Sequence, residues 1–369
     1  FAAGAGAGAG RPRAEAELPS LRSARSEWNL GSRMLDEGKW KEAKAVFNGL
    51  LRSTDAKRVV LACARCDLGL GLVDSATRLC RNLNKREPSP ESLTVSGVAE
   101  LLKGEFSNAM EFFKASSRLD PDYPLNLSNI KICKDLRGMM SGALSALDAR
   151  KFDGAVEKYT AALERYKNGG LSIRAPMHAR LLTALARALF RAGRIVDCLR
   201  RAEECLYYRE DEEEAVKWKC KALMKLEREE EALDVLSPLM SSWGAALPAL
   251  REAYDKAEFE VRRKKRVDYY EVFGLGQMAS EMEIKKQYKV RALEVHPDKQ
   301  HGKSLEEKKR AEETFKTLGE GLEVLCDQRK RELYDKGFDL RGIRERMEAE
   351  ERGARWHEQN RGRGPGHHH

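Results

Sequence analysis

No stretch of the chain approaches the ~20 consecutive apolar residues that cross a bilayer, so the sequence predicts no membrane partner. Aromatic residues are scarce, 7% of the 369, while charged residues reach 34% and hydrophobic ones 41%. Such a balance suits water-facing helices, and the length allows more than one domain with a sizeable core. Cysteine occurs eight times, yet Cys63-x-x-Cys66 has no second pair at zinc spacing and no histidine pair follows it. The cysteines fall mostly at apolar positions of helical patterns, which reads as reduced core thiols; no metal and no cofactor is expected. The opening FAAGAGAGAGRPR is low-complexity without the apolar core of a signal peptide, and residues 1–23 read as flexible. Because the chain opens at Phe1 rather than methionine, a signal further upstream stays open. The net charge of +9 suits acidic partners in general, acidic protein surfaces included, and does not single out nucleic acid.

Between Ser26 and Pro121 the sequence repeats itself. Gly38, Gly71 and Gly104 are spaced by 33, as are Ala43, Ala76 and Ala109, and Phe47, Cys80 and Phe113. Asp55, Pro88 and Pro121 mark the passage to the next unit. Each unit reads as two helices around a glycine turn, with a small residue where they cross. The Ala-x3-Phe…Pro pattern at this period resembles the tetratricopeptide repeat (TPR). Ankyrin repeats share the period, but their Thr-Pro-Leu-His motif is missing. Weaker copies place Ala155 with Tyr159, then Gly193 with Cys198 and Ala202, then Ala232 with Leu236 at the same register. The resulting units are 24–57, 57–90, 90–123, 136–169, 179–212 and 213–246. They form two blocks, 24–123 and 136–246, around an inter-block segment 124–135. Stacked repeats of this kind imply a superhelix with a concave groove.

A polar helix over 247–266 should cap the array. Its RRKKR ending has the composition of a nuclear-localisation or nucleic-acid patch, but reads first as a solvated helix end favoured by the macrodipole. Beyond it, Ser280 and Glu283 form a capping box that starts a helix. Ile284, Tyr288, Ala292 and Val295 recur at helical spacing as its buried stripe, with Lys285, Lys286, Lys289 and Arg291 largely off it. Pro297 ends that helix at about His296, leaving His296-Pro297-Asp298 on a turn. A second helix, from about 305 to 325, buries Phe315, Leu318, Leu322 and Leu325. Tyr269, Tyr270, Phe273 and Leu275 close one end of the small core.

Residues 267–338 resemble a J domain, the module of DnaJ-type co-chaperones. The resemblance rests on Asp268-Tyr269-Tyr270, Glu283-Ile284-Lys285-Lys286, Tyr288, Arg291-Ala292-Leu293 and His296-Pro297-Asp298-Lys299. It continues through Phe315, Leu325 with Asp327, and Arg331 with Tyr334-Asp335. It implies that His296, Pro297 and Asp298 signal to a DnaK-type 70-kDa heat-shock chaperone and stimulate its ATP hydrolysis. Lys285, Lys286 and Lys289 would steer the acidic partner, with Arg291 contributing. Metal binding or His–Asp catalysis would need a second ligand, a nucleophile or a pocket that a two-helix loop lacks, so no enzyme activity is expected. Residues 339–369 read as a polar tail, without the Gly/Phe-rich stretch or the Cys-x-x-Cys-x-Gly module of general DnaJ chaperones.

The fold expected is thus all-α, a TPR superhelix followed by a helical J domain. The order resembles TPR–J co-chaperones, above all the cytosolic branch that links the 70-kDa and 90-kDa heat-shock systems. One family feature is missing. The clamp that holds chaperone C-terminal carboxylates needs Lys-x3-Asn, Asn and Lys-x3-Arg on successive first helices. The first block has Trp28 and Ser32, Ala62, and Glu91 with Val95 there; the second has Met140 and Leu144, Ala184, and Glu214 with Trp218. The second groove instead carries Arg180, Arg187, Arg191, Lys217, Lys221 and Lys225, able to hold an acidic peptide or simply to be solvated. The leading function is a co-chaperone holding clients or chaperones on its repeats, in the cytoplasm with nuclear access open. The alternatives are a scaffold in a larger assembly, an endoplasmic-reticulum-lumen relative that binds unfolded clients, and, most distantly, a nucleic-acid binder.

Overall fold

The computed structural model describes residues 11–53, 56–243, 248–296 and 304–360, and every element among them is an α-helix. The chain divides into two compact units, residues 1–228 and 229–369.

The first unit holds α1 (Arg11–Asp36), α2 (Trp40–Ser53), α3 (Lys57–Gly69), α4 (Val73–Arg86), α5 (Pro90–Lys103) and α6 (Phe106–Leu119). It continues with α7 (Pro124–Asp148), α8 (Phe152–Asn168), α9 (Pro176–Arg191), α10 (Ile195–Tyr208) and α11 (Glu213–Lys225). Consecutive helices pair within each repeat, and each pair packs on the next. Ala43, Ala76, Ala109 and Ala155 are buried at the crossings, and Phe47, Cys80, Phe113 and Tyr159 one turn later are buried beside them. The turns between paired helices need one left-handed residue each. Glycine supplies it at 38, 71, 104 and 193, with φ of 73°, 77°, 88° and 79°. In the fourth and sixth units, Arg150 (φ 57°) and Glu227 (φ 59°) adopt the same conformation without glycine's freedom.

Three features differ from the sequence expectation. Helix α1 begins at Arg11, inside the stretch read as flexible. Residues 124–135 are no separate segment but the first half of α7, which runs unbroken for 25 residues. Pro124 fits its first turn, where no N–H partner is needed. Asn126 then docks it by donating to the Phe113 carbonyl (3.0 Å) and to Ser117 Oγ (2.8 Å). Finally, the interval 169–175 between α8 and α9 is a strap tied to the end of α3, and its residues 169–172 line one recess with residues of α3 and α5. Ser172 Oγ donates to the Gly69 carbonyl at 2.9 Å, and Tyr166 OH to the Ser172 carbonyl at 2.6 Å. Leu171 and Ala175 within it are buried. Arg174 crosses Gly71 so closely that a Cβ on Gly71 would lie 2.8 Å from it.

His178 anchors the strap from below, with its ring 5.6 Å from Tyr166 and 5.7 Å from Tyr208. Its Nε2 has no hydrogen-bond partner among the described residues. Burial, and next the Lys167 ammonium, lower its pKa below the ordinary 6.5, outweighing Glu204 and the Ile173 backbone. The folded state therefore keeps the imidazole neutral where the unfolded chain takes up a proton. Its contribution is complete above about pH 6.5 and is lost as pH falls below it. The thermal unfolding temperature of this unit should drop as pH falls below about 6.5, and His178→Gln should flatten that part of the profile. An unchanged slope in the variant would count against His178 as its source.

The second unit holds α12 (Glu229–Trp243), α13 (Pro248–Lys265), α14 (Tyr269–Phe273), α15 (Glu281–Val295), α16 (Leu305–Cys326), α17 (Gln328–Asp335) and α18 (Leu340–Asn360). In the RRKKR run Arg263, Lys264 and Lys265 stay exposed at the helix end, while Arg262 and Arg266 are half-buried. Arg262 grips Asp339 with two hydrogen bonds (2.7 and 3.1 Å), Lys264 pairs with Glu229, and Lys265 with Glu230. Arg263 pairs with Glu260; Arg266 donates to the Tyr334 carbonyl and stacks on the Tyr334 ring at 4.1 Å. The stretch read as a polar tail is corrected. Ile343 of α18 is 1% exposed, and Leu340 and Met347 pack beside it on the core formed by Tyr269, Phe273, Leu318 and Leu333.

Candidate functional site

The site starts from two capped helices. Ser280 and Glu283 form a reciprocal capping box on α15, and Ser304 and Glu307 form one on α16. Each satisfies orphan donors of the first turn and fixes where its helix begins. Helix α15 stops at Val295, where His296 turns to an extended conformation (φ −60°, ψ 134°). Pro297 and Asp298 lie outside the described residues. The His296 ring stands edge-on to Phe315 of α16 at 6.0 Å, so the last turn of α15 and the middle of α16 jointly set its direction.

Ile284 and Ala292 of α15 are buried, and Tyr288 and Val295 pack on the same core. Opposite that stripe, Lys285, Lys286 and Lys289 are exposed. Lys285 pairs with Glu281, whose hydrogen bond and charge raise its pKa further above the lysine range. Arg291 does not join this face. At ~100° per residue it lies about 200° around the helix from Lys289. There its guanidinium covers Gly274, at 3.0 Å from where a Cβ would sit. Sequence reasoning also missed an apolar component. Met282 (82% exposed) and Leu293 (56%) continue the Lys286–Lys289 line at i, i+4, i+7 and i+11. The signal in the sequence is that spacing, which sets both residues off the buried stripe of Ile284, Tyr288, Ala292 and Val295.

What holds α15 in place is the set of residues on which the resemblance rests. Asp268 caps α14 by accepting from the N–H groups of Tyr270 and Glu271. Tyr270 OH donates to Asp335 at 2.9 Å and accepts from Arg331 Nε at 3.0 Å. Arg331 Nη2 donates to the carbonyls of Gln277 and Ala279, both at 2.8 Å, which pins the loop leading into α15. Tyr334 OH donates to the Val267 carbonyl and accepts from the Tyr269 N–H.

In the first unit, Arg180, Arg187 and Lys217 rim one recess of about 400 Å³ in the groove. Arg187 and Arg191 belong to an adjoining recess of about 530 Å³, which also takes in Arg150. Lys221 lies over the Trp218 ring at 4.9 Å, and Lys225 lines neither recess. The Cys63/Cys66 pair is buried on α3. Burial, with Asp67 second, pushes the Cys63 thiol up to about 11; burial, with Cys63 second, takes Cys66 to about 12. Thiols this reluctant to ionise are poor ligands and poor nucleophiles. Among the described residues no group of three or more His, Cys, Asp or Glu could hold a metal ion, and no helix is long and apolar enough to cross a membrane.

Repeated helix pairs with a left-handed turn, followed by a capped helix that ends in an extended histidine, define a TPR array joined to a J domain. Family comparison agrees: residues 268–335 match the DnaJ domain and residues 141–197 the tetratricopeptide repeat. The chain carries a DnaJ domain and tetratricopeptide repeats, and every element among its described residues is an α-helix. It is similar to the DnaJ homolog subfamily C member 7 homolog of Schizosaccharomyces pombe, 29% identical over 73% of this chain and 54% of the relative. It is also similar to DnaJ homolog subfamily C member 7 of Homo sapiens, 28% identical over 75% of this chain and 55% of the relative. The chain thus spans about half the length of these relatives. Among solved structures, the P58(IPK) TPR domain overlaps 69% of this chain and 70% of its own, at 16% identity and a TM-score of 0.49.

Proposed function

We propose that this chain is a co-chaperone that stimulates ATP hydrolysis by a DnaK-type 70-kDa chaperone, while its repeats hold a client or a second chaperone. The observation that carries the reading is the exposed lysine face of α15, running to His296 within a matched DnaJ domain. His296, Pro297 and Asp298 deliver the signal. Lys285, Lys286 and Lys289 steer an acidic partner surface, with Arg291 beside Gly274 on another side of α15. The chain carries out no reaction of its own in this reading. A cytoplasmic setting is supported by eight free thiols, most of them buried. A 90-kDa chaperone tail is not supported as a ligand, since the clamp positions of both blocks lack the clamp residues.

The test is single-turnover ATP hydrolysis by a DnaK-type chaperone that responds to other J proteins. Wild type should stimulate and His296→Gln should not. Lys286→Glu combined with Lys289→Glu should weaken stimulation most at low ionic strength, where exposed charges act over ~10 Å or more. A folded wild type without stimulation would hand the lead to the scaffold reading.

A further inference from the structure

We propose that the inner groove of the second repeat block binds an internal peptide segment in which one bulky apolar side chain is flanked on both sides by carboxylates. This names the ligand class for the repeats and rests on the reading above only in treating them as the holding half. The argument begins with what occupies the clamp positions. Met140, Leu144, Ala184 and Trp218 come together as the floor of one recess, with Glu214 at its side. Leu144 is 45% exposed there, a large aliphatic group that nothing in the fold covers completely. A floor of this kind removes apolar surface from water when an apolar side chain settles on it. It offers no convergent donors to the end of a chain: Leu144 and Ala184 stand where the clamp needs amides.

The charge lies around that floor rather than on it. Arg180 and Lys217 stand on one recess, Arg150 and Arg191 on the next, and Arg187 on both. Glu214 is already engaged by Lys217 (2.7 Å) and by Trp218 Nε1 (3.1 Å), which leaves Asp148 as the other carboxylate of the pair of recesses. Arg187 Nε is buried without a hydrogen-bond partner among the described residues. Because Arg187 lines both recesses, its guanidinium is placed to donate to a carboxylate held in either. Cations spread along an apolar floor fit carboxylates spread along a peptide. The first block has a recess of about 210 Å³ between α3, α5 and the strap, but Arg65 is the one cation among its lining residues.

The probe is a fluorescein-labelled, acetylated and amidated nonapeptide, Gly-Ser-Asp-Glu-Phe-Glu-Asp-Ser-Gly, titrated with the full chain and read by anisotropy. Binding should be saturable and should weaken as salt rises from about 50 to about 500 mM. Leu144→Glu and Arg187→Gln should each weaken it about tenfold or more, as should phenylalanine to serine in the peptide. Arg191→Glu, on the exposed rim, serves where Arg187→Gln fails to fold, as judged by its circular dichroism. A free C-terminal carboxylate on the peptide should make no difference. Binding that requires that carboxylate, that tolerates the serine peptide, or that is equal in wild type and variants would overturn the proposal, as would no binding. Chaperone ATP hydrolysis is read in parallel. Stimulation without peptide binding refutes the groove alone, and peptide binding without stimulation refutes the J-domain reading alone.

Discussion

Gly97→Ala should destabilise the repeat array by about 1–3 kcal/mol, although alanine is the better helix former. The reason is the ring of Phe113 on the paired helix. A Cβ on Gly97 would lie 2.4 Å from Phe113 Cε1, a distance at which one of the two must move. Phe113 has no room to yield, being fully buried. The first repeat repeats the arrangement, with a Cβ on Gly31 meeting Phe47 at 2.8 Å. At the same register the second repeat has Ala64 with Cys80, both buried. Where the aromatic has shrunk to a thiol, the facing residue has grown by a methyl.

That pairing turns a packing statement into a coupling measurement. Phe113→Cys alone should cost about 3–4 kcal/mol through lost contacts and the cavity left behind. Combined with Gly97→Ala, which reproduces the second repeat's pair, the cost should fall short of the sum by about 1 kcal/mol or more. Urea unfolding followed by far-UV circular dichroism would read it. Strict additivity would show that the two side chains do not compete for one volume.

The repeats were legible because a glycine, an alanine and a bulky core residue recur at one interval. The turns of the fourth and sixth units were not announced, since Arg150 and Glu227 look like ordinary surface residues. Only Ala155 and Ala232, five positions on, fix their register. The strap was invisible for a different reason. Ser172 bonds to Gly69 across 103 residues, and no local pattern encodes such a contact. In the second unit, the inward stripe of α15 followed from a 3.6-residue period and a capping box. The outward Met282 and Leu293 did not, because periodicity reports where apolar residues gather and says nothing of those left for a partner. The charges of RRKKR were plain, but their partners Glu229, Asp339 and the Tyr334 carbonyl lie on three other segments.

Ile343→Ala should destabilise the second unit by about 2–5 kcal/mol, a large effect for a residue in what reads as a polar tail. Helix α18 is charged along most of its length, and its apolar side chains are few. Three of them, Leu340, Ile343 and Met347, recur at i, i+3 and i+7 and share one face. The backbone is delivered to the core by its neighbours. Asp339 accepts from the Gly342 N–H at 2.9 Å and capses the helix start while held by Arg262; Phe338 meets Phe259 at 5.0 Å, and Arg346 lies over the Phe338 ring. Burial works to raise the Asp339 carboxyl, but the Arg262 and Gly342 hydrogen bonds hold it below the usual range. A truncated Ile343 would leave a void in the core it shares with Tyr269 and Leu333. Glu348→Ala, which breaks only an exposed pair with Arg352, is the contrast and should stay within about 0.5 kcal/mol. Hydrogen exchange over α16 and α17 in the full chain separates the two: Ile343→Ala should speed it and Glu348→Ala should not. Equal protection in both variants would return residues 339–369 to the status of a tail and leave the J-domain core complete without them.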